Sequence, residues 1–235
     1  MDASGSGDYT TIASAYAAAK PGEIIVLRPG TYKEPRGIRI NNDVRIVGEG
    51  GRSKVIVEAA SGEDVFTFMA GSAKLTGVTI RYTGPTDPQG GIGAISVTGG
   101  TPVIEDCDLT SSAGSAVYIF GAGANPTIRN STMRDSRGSG VFVYDQGQGI
   151  IELCVISENA SVASGSRYAG VEITTGGNPV VRDYEIRDGK QGGVFVHSQG
   201  QGTFTGNTLT GNANGAWVIE TTAGKVTRTG NRPNG

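Results

Sequence analysis

The chain has 235 residues, with 20 basic against 22 acidic side chains and a formal net charge of −2. This near balance argues against a nucleic-acid-binding protein, which would carry a basic stripe or a high isoelectric point. It also gives no reason to expect binding to an anionic membrane. The 39 glycines, without a collagen period, indicate many tight turns, and the length suits one sizeable domain.

The N-terminal segment shows no export signal, because Met1 is followed at once by polar residues. No stretch of the sequence approaches the about 18 apolar residues of a membrane span. We therefore expect a cytoplasmic protein if Met1 is native, and a secreted one if a signal peptide was removed.

Residues 10–20 predict a short helix. Ile12, Ala15, Tyr16 and Ala19 follow the i, i+3, i+4, i+7 spacing of one helix face, a threonine precedes them as N-cap candidate, and Pro-Gly follows at 21–22. The open edge of a repeat protein needs a cap. We expect this helix to cover the first coil.

The remainder of the chain repeats itself, irregularly over residues 24–100 and regularly over 102–230, in coils of 22 to 30 residues. The first repeated segment occurs at 102–109, 126–133, 149–156, 179–186 and 202–209. The second occurs at 116–119, 140–143, 170–173, 193–196 and 216–219. The spacing varies only by insertion, which is typical of fixed strands joined by variable turns.

Within each segment apolar residues alternate with period two, as in strands with one buried face. The aligned apolar positions form four columns: Ile104, Ile128, Ile151, Val181 and Phe204; Leu109, Met133, Ile156, Ile186 and Leu209; Val117, Val141, Val171, Val194 and Trp217; Ile119, Val143, Ile173, Val196 and Ile219. Stacking these columns at about 4.8 Å satisfies both burial and backbone hydrogen bonding. The sequence predicts an all-β protein in which residues 1–235 form a single right-handed parallel β-helix of about eight coils.

The C-terminal end has no predicted cap, since residues 225–228 begin another coil and residues 230–235 are polar. We expect the chain to be a module of a longer protein. A further domain or a protein partner would then cover this end.

The N-terminal region resembles a known enzyme family. Residues 5–12 read Gly-Ser-Gly-Asp-Tyr-Thr-Thr-Ile and residues 29–32 read Pro-Gly-Thr-Tyr, which is similar to the start of pectin methylesterases. The later coils resemble the carbohydrate-binding and sugar-hydrolase repeats of the pectin-lyase-like superfamily. They are most similar to actinobacterial repeats found beside AAA-type ATPases. The resemblance implies the β-helix fold and an association with polysaccharides.

The catalytic motifs of that superfamily do not occur in this sequence. The chain lacks the Gln-Asp-Thr-Leu and Asp-Phe-Ile-Phe-Gly strings of pectin methylesterases. It also lacks the Gly-His-Gly and Arg-Ile-Lys of polygalacturonases and the Arg-x-Pro-x-x-Arg-x-Gly of pectate lyases. Whether the chain is an enzyme stays open, and the missing motifs favour a non-catalytic protein with no catalytic residues and no cofactor.

Two charged columns have a structural and a functional interpretation. Glu105, Arg129, Glu152 and Arg182 alternate in sign, which predicts an ion-pair ladder on a solvated face more readily than a binding strip. Asp135, Glu158 and Asp188 fall on successive coils and are a weak candidate for a calcium site. Turn formation is the alternative for these three, since strand ends favour Asp and Asn.

Aromatic residues concentrate at the outward positions of the second repeated segment, in a chain otherwise poor in them. We predict a groove whose floor is formed by Tyr118, Phe120, Phe142 and Tyr144 and whose walls are insertions at 83–91 and 161–167. The full set of candidate ligand-binding residues is Tyr118, Phe120, Phe142, Tyr144, Glu172, Phe195, His197 and Glu220. The alternative is a patch covered by a loop, a domain or a partner.

His197, the single histidine, should lie beside Glu220 in one column, with Glu172 slightly further away. Such a pair can act as a general base, but a surface hydrogen bond is the favoured interpretation, because the sequence defines no nucleophile beside it. An inward column contains small residues and one exception: Cys107, Ser131, Cys154, Tyr184 and Asn207. The two cysteines, two coils apart, are beyond disulfide reach, and Tyr184 should widen its coil or turn outward.

Three functions remain open from the sequence. The chain is a non-catalytic module that binds an oligo- or polysaccharide or a protein on its aromatic face, an enzyme acting on polysaccharides, or a structural spacer. The sequence gives no indication of nucleic-acid or membrane partners.

Overall fold

A computed structural model describes residues 1–86, 91–161 and 167–233 of the chain. The helix α1 spans Ile12–Ala18. The strands, in chain order, are β1 (Ile24–Leu27), β2 (Gly30–Glu34), β3 (Ile38–Ile40), β4 (Arg45–Gly48), β5 (Val55–Ala59), β6 (Phe66–Phe68), β7 (Lys74–Thr76), β8 (Thr79–Tyr82), β9 (Ile95–Val97), β10 (Val103–Glu105), β11 (Asp108–Ser111), β12 (Val117–Phe120), β13 (Thr127–Arg129), β14 (Thr132–Arg134), β15 (Val141–Tyr144), β16 (Ile150–Glu152), β17 (Val155–Ser157), β18 (Ala169–Ile173), β19 (Val180–Arg182), β20 (Glu185–Arg187), β21 (Gly192–Val196), β22 (Gly202–Thr205), β23 (Thr208–Thr210), β24 (Trp217–Ile219) and β25 (Val226–Thr229).

These strands form three parallel sheets, which the chain visits in turn. Sheet A has nine strands in the order β1-β4-β7-β10-β13-β16-β19-β22-β25. Sheet B contains eight strands from β2 to β23, and sheet C contains eight from β3 to β24. The described residues therefore make eight coils of three strands and the first strand of a ninth. The prediction of an all-β, right-handed parallel β-helix is confirmed.

The register of the sheets places equivalent apolar residues on top of one another. Ile104 pairs with Ile128, and Val117 pairs with Val141, as the period-two pattern predicted. These side chains are fully buried. Because each coil is too thin to enclose them alone, burial comes from the coils above and below, and the apolar columns hold the stack together.

From β7 onward, the chain turns from sheet A to sheet B at one residue with left-handed backbone, and from β14 onward such a residue also follows each strand of sheet B. The residues with positive φ at these corners include Gly77, Asp106, Asn130, Leu153, Asp183, Gly206, Asp135, Glu158, Asp188 and Gly211. Glycine, asparagine and aspartate adopt this conformation most readily. The corners therefore explain the frequent Gly, Asp and Asn in the middle of the first repeated segment and directly after it.

After the first corner, the next residue points inward and bonds to the neighbouring coil. All five side chains predicted for this column are buried: Cys107, Ser131, Cys154, Tyr184 and Asn207. The Ser131 hydroxyl accepts a hydrogen bond from the Cys107 N–H at 3.1 Å. The Asn207 side-chain oxygen accepts one from the Tyr184 N–H at 3.1 Å. These short polar groups satisfy backbone donors where the sheets end.

Tyr184 stays inside the column instead of turning outward as one alternative predicted. It is 3% exposed, and its hydroxyl lies beside the Cys154 thiol without a hydrogen-bond partner. Both cysteines are free, and burial raises the pKa of the Cys154 thiol to about 11.

The charged column on sheet A forms ion pairs. Lys74 and Arg129 both contact Glu105, at 2.6 Å and 3.0 Å, and Arg182 contacts Glu152. Each pair is partly exposed, so each contributes about 0–1 kcal/mol to stability. The ladder is a structural feature of a solvated face.

Helix α1 covers the N-terminal end of the stack. Thr11 is its N-cap, and Ile12 and Ala15 are buried. The carboxylate of Glu34 accepts hydrogen bonds from the first N–H groups, at 2.6 Å from Ile12 and 3.4 Å from Ala13. No helix in the described part of the chain has the length and apolarity needed to cross a membrane.

The last described coil is more open than the others. Trp217 is only half-buried, although it continues the Val117 column, and Ile219 is 37% exposed. The Trp217 ring packs edge-on against Phe204 at 5.2 Å and under the guanidinium of Arg228 at 5.1 Å.

Candidate functional site

The candidate site lies on the outer face of sheet C, where two neighbouring strands carry aromatic residues at outward positions. Tyr118 pairs with Phe142, and Phe120 pairs with Tyr144. The Phe120 and Tyr144 rings are stacked, with centroids 4.9 Å apart. The Phe142 ring lies 4.7 Å from Tyr144 and 5.9 Å from Tyr118. The four rings are therefore continuous across two coils.

Three of the four rings reach the surface, and Tyr118 does not. Phe120, Phe142 and Tyr144 are half-buried, whereas Tyr118 is 5% exposed. The prediction that Tyr118 forms part of an exposed floor is wrong. Its ring packs against Gly93, where a Cβ would lie 2.9 Å from the ring, and its hydroxyl accepts a hydrogen bond from the Ser115 N–H at 2.9 Å. Tyr118 is therefore a buried residue that packs against Phe142.

The polar members of the predicted site are also buried. Glu172 is 4% exposed and His197 is 6% exposed. His197 Nε2 lies 3.5 Å from Glu172 Oε1, and the Ser139 hydroxyl donates to Glu172 Oε2 at 2.7 Å. Val196 pairs with Ile219, so His197 and Glu220 are neighbours along the stack as predicted, but the carboxylate that the imidazole contacts is that of Glu172. The imidazole stacks on Phe195 at 4.5 Å, which draws it toward the Glu172 column.

The other nitrogen of His197 lies among hydroxyl groups and one cation. Nδ1 lies 3.3 Å from Thr174 Oγ1, 3.1 Å from Ser198 Oγ and 3.4 Å from the guanidinium of Arg167. Both ring nitrogens therefore have partners. The histidine belongs to a buried polar network that joins three neighbouring coils.

A surface pocket of about 280 Å³ adjoins this network. It combines aromatic, apolar and hydrogen-bonding groups, a mixture found in ligand sites. Its lining residues are Arg167, Tyr168, Gly192, Phe195, Asn214, Val218 and Glu220. Glu220 is partly buried in its wall and accepts a hydrogen bond from the Thr222 hydroxyl at 3.1 Å.

Asp64 adds a carboxylate near the aromatic rings. It accepts a hydrogen bond from the Gly93 N–H at 2.6 Å, and burial raises its pKa. Burial, with the charges of Asp64 and Asp145 nearby, raises the pKa of Tyr144 to about 12. The Tyr144 hydroxyl therefore stays protonated at neutral pH and can donate a hydrogen bond.

Sequence reasoning identified the aromatic strands but missed Arg167, Tyr168, Asn214 and Asp64. Tyr168 could have been recognised as one more aromatic residue directly before a strand of the same sheet. The others carry no signal in the repeat, because they lie in turns. The predicted walls at 83–91 and 161–167 include residues 87–90 and 162–166, which lie outside the described residues.

The calcium hypothesis is not supported by the arrangement of its three residues. Asp135, Glu158 and Asp188 each occupy a left-handed corner. Asp135 is paired with Arg134 at 2.6 Å, and Asp188 is paired with Arg187 at 2.8 Å. Within residues 1–86, 91–161 and 167–233 no group of three His, Cys, Asp or Glu side chains could hold a metal ion.

Comparison with known proteins agrees with this architecture. Residues 65–232 match the model of the right-handed β-helix region family. No curated protein sequence matches the chain.

Several solved structures share the fold. Pectin methylesterase from carrot matches with a TM-score of 0.64 at 16% identity, over 98% of this chain and 81% of that one. Pectin methylesterase PemA from Erwinia chrysanthemi matches with a TM-score of 0.62 at 17% identity, over 88% and 77%. Pectate lyase Pel9A matches with a TM-score of 0.60 at 17% identity. The match covers 86% of this chain but 64% of that lyase.

The family match covers well over half of the chain, so the chain belongs to the right-handed β-helix family. Its fold is that of the pectin-lyase-like β-helices. At 16–17% identity, the structural likeness concerns the fold alone.

Proposed function

We propose that this chain is a non-catalytic β-helix module that binds an oligosaccharide on the outer face of sheet C. The observation that carries the proposal is the continuous group of half-buried rings formed by Phe120, Phe142 and Tyr144, in a chain with 6% aromatic residues. Aromatic faces stack on the apolar C–H faces of sugar rings, and exposed aromatic clusters mark interaction sites.

The geometry suits a short oligosaccharide. Four strand spacings separate β12 from β24, or about 19 Å at 4.8 Å each. One sugar unit would pack against the Phe120–Tyr144 ring pair. Further units would extend along the stack to the pocket, where Tyr168 gives another ring and Asn214 and Glu220 give hydrogen-bonding groups. The pectin-acting names of the fold neighbours favour a carbohydrate as ligand.

Two observations support a non-catalytic role: the sequence lacks the catalytic motifs, and the single histidine, His197, is buried. The catalytic strings of the pectin-lyase-like enzymes do not occur in the chain. The imidazole is buried, with Glu172 at one nitrogen and hydroxyl groups at the other. A general base needs an open path to the proton that it removes. In this arrangement the histidine has a structural role.

The test is titration calorimetry with a panel of neutral and acidic oligosaccharides, using the unchanged chain and a Phe120→Ala/Tyr144→Ala double variant. Loss of the two stacked rings should weaken binding at least about tenfold, since each ring covers apolar sugar surface. Tyr9→Ala is the matched control, because Tyr9 is 38% exposed and lies at the N-terminal end.

Binding that is undiminished in the double variant would contradict the site, and so would an equal loss of binding in the Tyr9→Ala control. Failure of every oligosaccharide to bind would contradict the function and leave a protein partner or a spacer role. Circular dichroism of both variants checks that the β-helix is intact.

A second candidate function is polysaccharide cleavage, favoured by one observation. The His197–Glu172 pair lies directly beside the 280 Å³ pocket through Phe195. Incubation with the same panel, followed by detection of reducing ends and of unsaturated products, tests this function. Turnover that is lost in both His197→Gln and Glu172→Gln would establish an enzyme and replace the binding module.

A further inference from the structure

Charge is distributed unequally among the three sheets. From β6 to β24, the strands of sheet C contain a single charged residue, Glu172, and no lysine or arginine. Sheet A carries Lys74, Arg129 and Arg182 in its strands, each paired with a glutamate. The strands that form the aromatic face of sheet C therefore carry no lysine or arginine, in contrast to the strands of sheet A.

The groups around the aromatic face are mainly acidic. Asp145 is exposed and directly follows Tyr144, and Glu220 lines the pocket. Asp64 is close enough to raise the pKa of both Tyr118 and Tyr144.

One cation, Arg167, is present among the residues that line the pocket. Its guanidinium lies 3.4 Å from His197 Nδ1. A bidentate arginine clamp is the usual means by which proteins hold a carboxylate. A single cation among the pocket's lining residues, together with the carboxylate of Glu220, does not provide such a clamp for each unit of an acidic chain.

We infer that the ligand of this face is an uncharged glycan rather than a polyuronate, the acidic class to which pectin belongs. This inference rests on the proposed function. A uronate packed against the Phe120–Tyr144 pair would bring a negative charge near the exposed carboxylate of Asp145, which directly follows Tyr144, and like charges repel. It would also lose water without gaining a cationic partner. A neutral sugar avoids both costs and keeps the hydrogen bonds offered by Asn214 and Glu220.

The experiment compares two ligands that differ only in charge: an oligogalacturonate and the same oligomer with every carboxyl methyl-esterified. We expect the ester to bind the unchanged chain at least about tenfold more tightly at low salt. The difference should shrink as salt is raised to about 0.5 M, because surface charge is then screened.

Variants test whether the nearby carboxylates cause the preference. In the Asp145→Asn/Glu220→Gln double variant, the ratio of the affinity for the ester to the affinity for the acid should fall by about three- to tenfold. Asn is well suited to position 145, which has a φ of 47°. Glu58→Gln is the control, since Glu58 lies on sheet B and pairs with Arg81 at 3.7 Å; it should leave the ratio unchanged.

Three results would overturn the inference. If the acid binds as tightly as the ester or more tightly, the inference fails while the proposed function stands. If the ester is preferred but Asp145→Asn/Glu220→Gln leaves the ratio of the two affinities unchanged, the inference also fails and the proposed function stands. If neither these oligomers nor any neutral glycan binds, the proposed function fails and the inference fails with it.

Discussion

Asn207 offers the most direct test of how the coils are joined at their corners. Its side chain is 1% exposed and makes three hydrogen bonds. The oxygen accepts from the Tyr184 N–H at 3.1 Å, and the amide nitrogen donates to the Val181 carbonyl at 3.0 Å and to the side-chain oxygen of Asn231 at 2.8 Å. These bonds connect three successive coils.

Asn207→Ala removes all three bonds. At about 1 kcal/mol for each bond, with about 1 kcal/mol more for the buried Tyr184 N–H left without a partner, the free energy of unfolding should fall by about 3–4 kcal/mol. For a chain of this length a loss of that size lowers the melting temperature by about 10 °C. Thermal unfolding followed by far-ultraviolet circular dichroism measures the shift.

Asn178→Ala is the matched control, because Asn178 is exposed, and its melting temperature should change by less than about 2 °C. Asn207→Leu fills the same volume without the polar groups, and it should be destabilised to a similar extent as Asn207→Ala. A melting temperature of Asn207→Ala within 2 °C of the unchanged chain would refute the view that these bonds hold the corner. Destabilisation of Asn207→Ala alone, with Asn207→Leu unaffected, would assign the loss to a cavity.

Two further predictions concern buried groups. Tyr184→Phe removes a buried hydroxyl that has no partner, so it should leave stability unchanged or raise it by up to about 1 kcal/mol; a loss of 1 kcal/mol or more in thermal unfolding would mean that the hydroxyl is bonded to Cys154. Burial raises the pKa of Glu34 above 4.5, so its contribution to stability is present below that pH and is lost as the pH rises through the folded-state pKa. The melting temperature of Glu34→Gln relative to that of the unchanged chain should therefore rise between pH 4 and pH 7, and a constant difference between the two proteins would contradict this.

The stacking of the coils was predictable because it depends on a pattern that each coil repeats. Apolar residues at alternate positions determine which side chains face inward, and matching the repeated segments determines which residues pair. The pairing of Ile104 with Ile128 and of Val117 with Val141 follows from these two facts alone.

The exposure of the candidate site was harder to predict, because alternation gives the side of a strand and not what covers it. Tyr118 and Phe142 occupy equivalent outward positions. Gly93 lies just before β9, in the coil that precedes Tyr118. Because Gly93 has no Cβ, its backbone can approach the Tyr118 ring closely. The ring is buried by its neighbours in space, and the repeat does not encode them.

The adjacency of His197 and Glu220 was predicted correctly, but the side-chain contact of His197 with Glu172 was not, for a related reason. Register places His197 beside Glu220 along the stack, but a long side chain also reaches the neighbouring column. Stacking on Phe195 and contact with Glu172 determine the direction of the imidazole. Backbone register predicts which residues are adjacent, whereas side-chain packing decides which of them touch.

The single-residue corners have a consequence for how such a protein changes in evolution. From β7 onward, each coil leaves sheet A at a left-handed residue, as at Asp106 and Asn130, and enters sheet B in the same register. Gain or loss of one whole coil would therefore leave the layers on either side correctly aligned. The length of the outer face of sheet C can change in whole-layer increments of about 4.8 Å, while its width, which is set within each coil, stays constant.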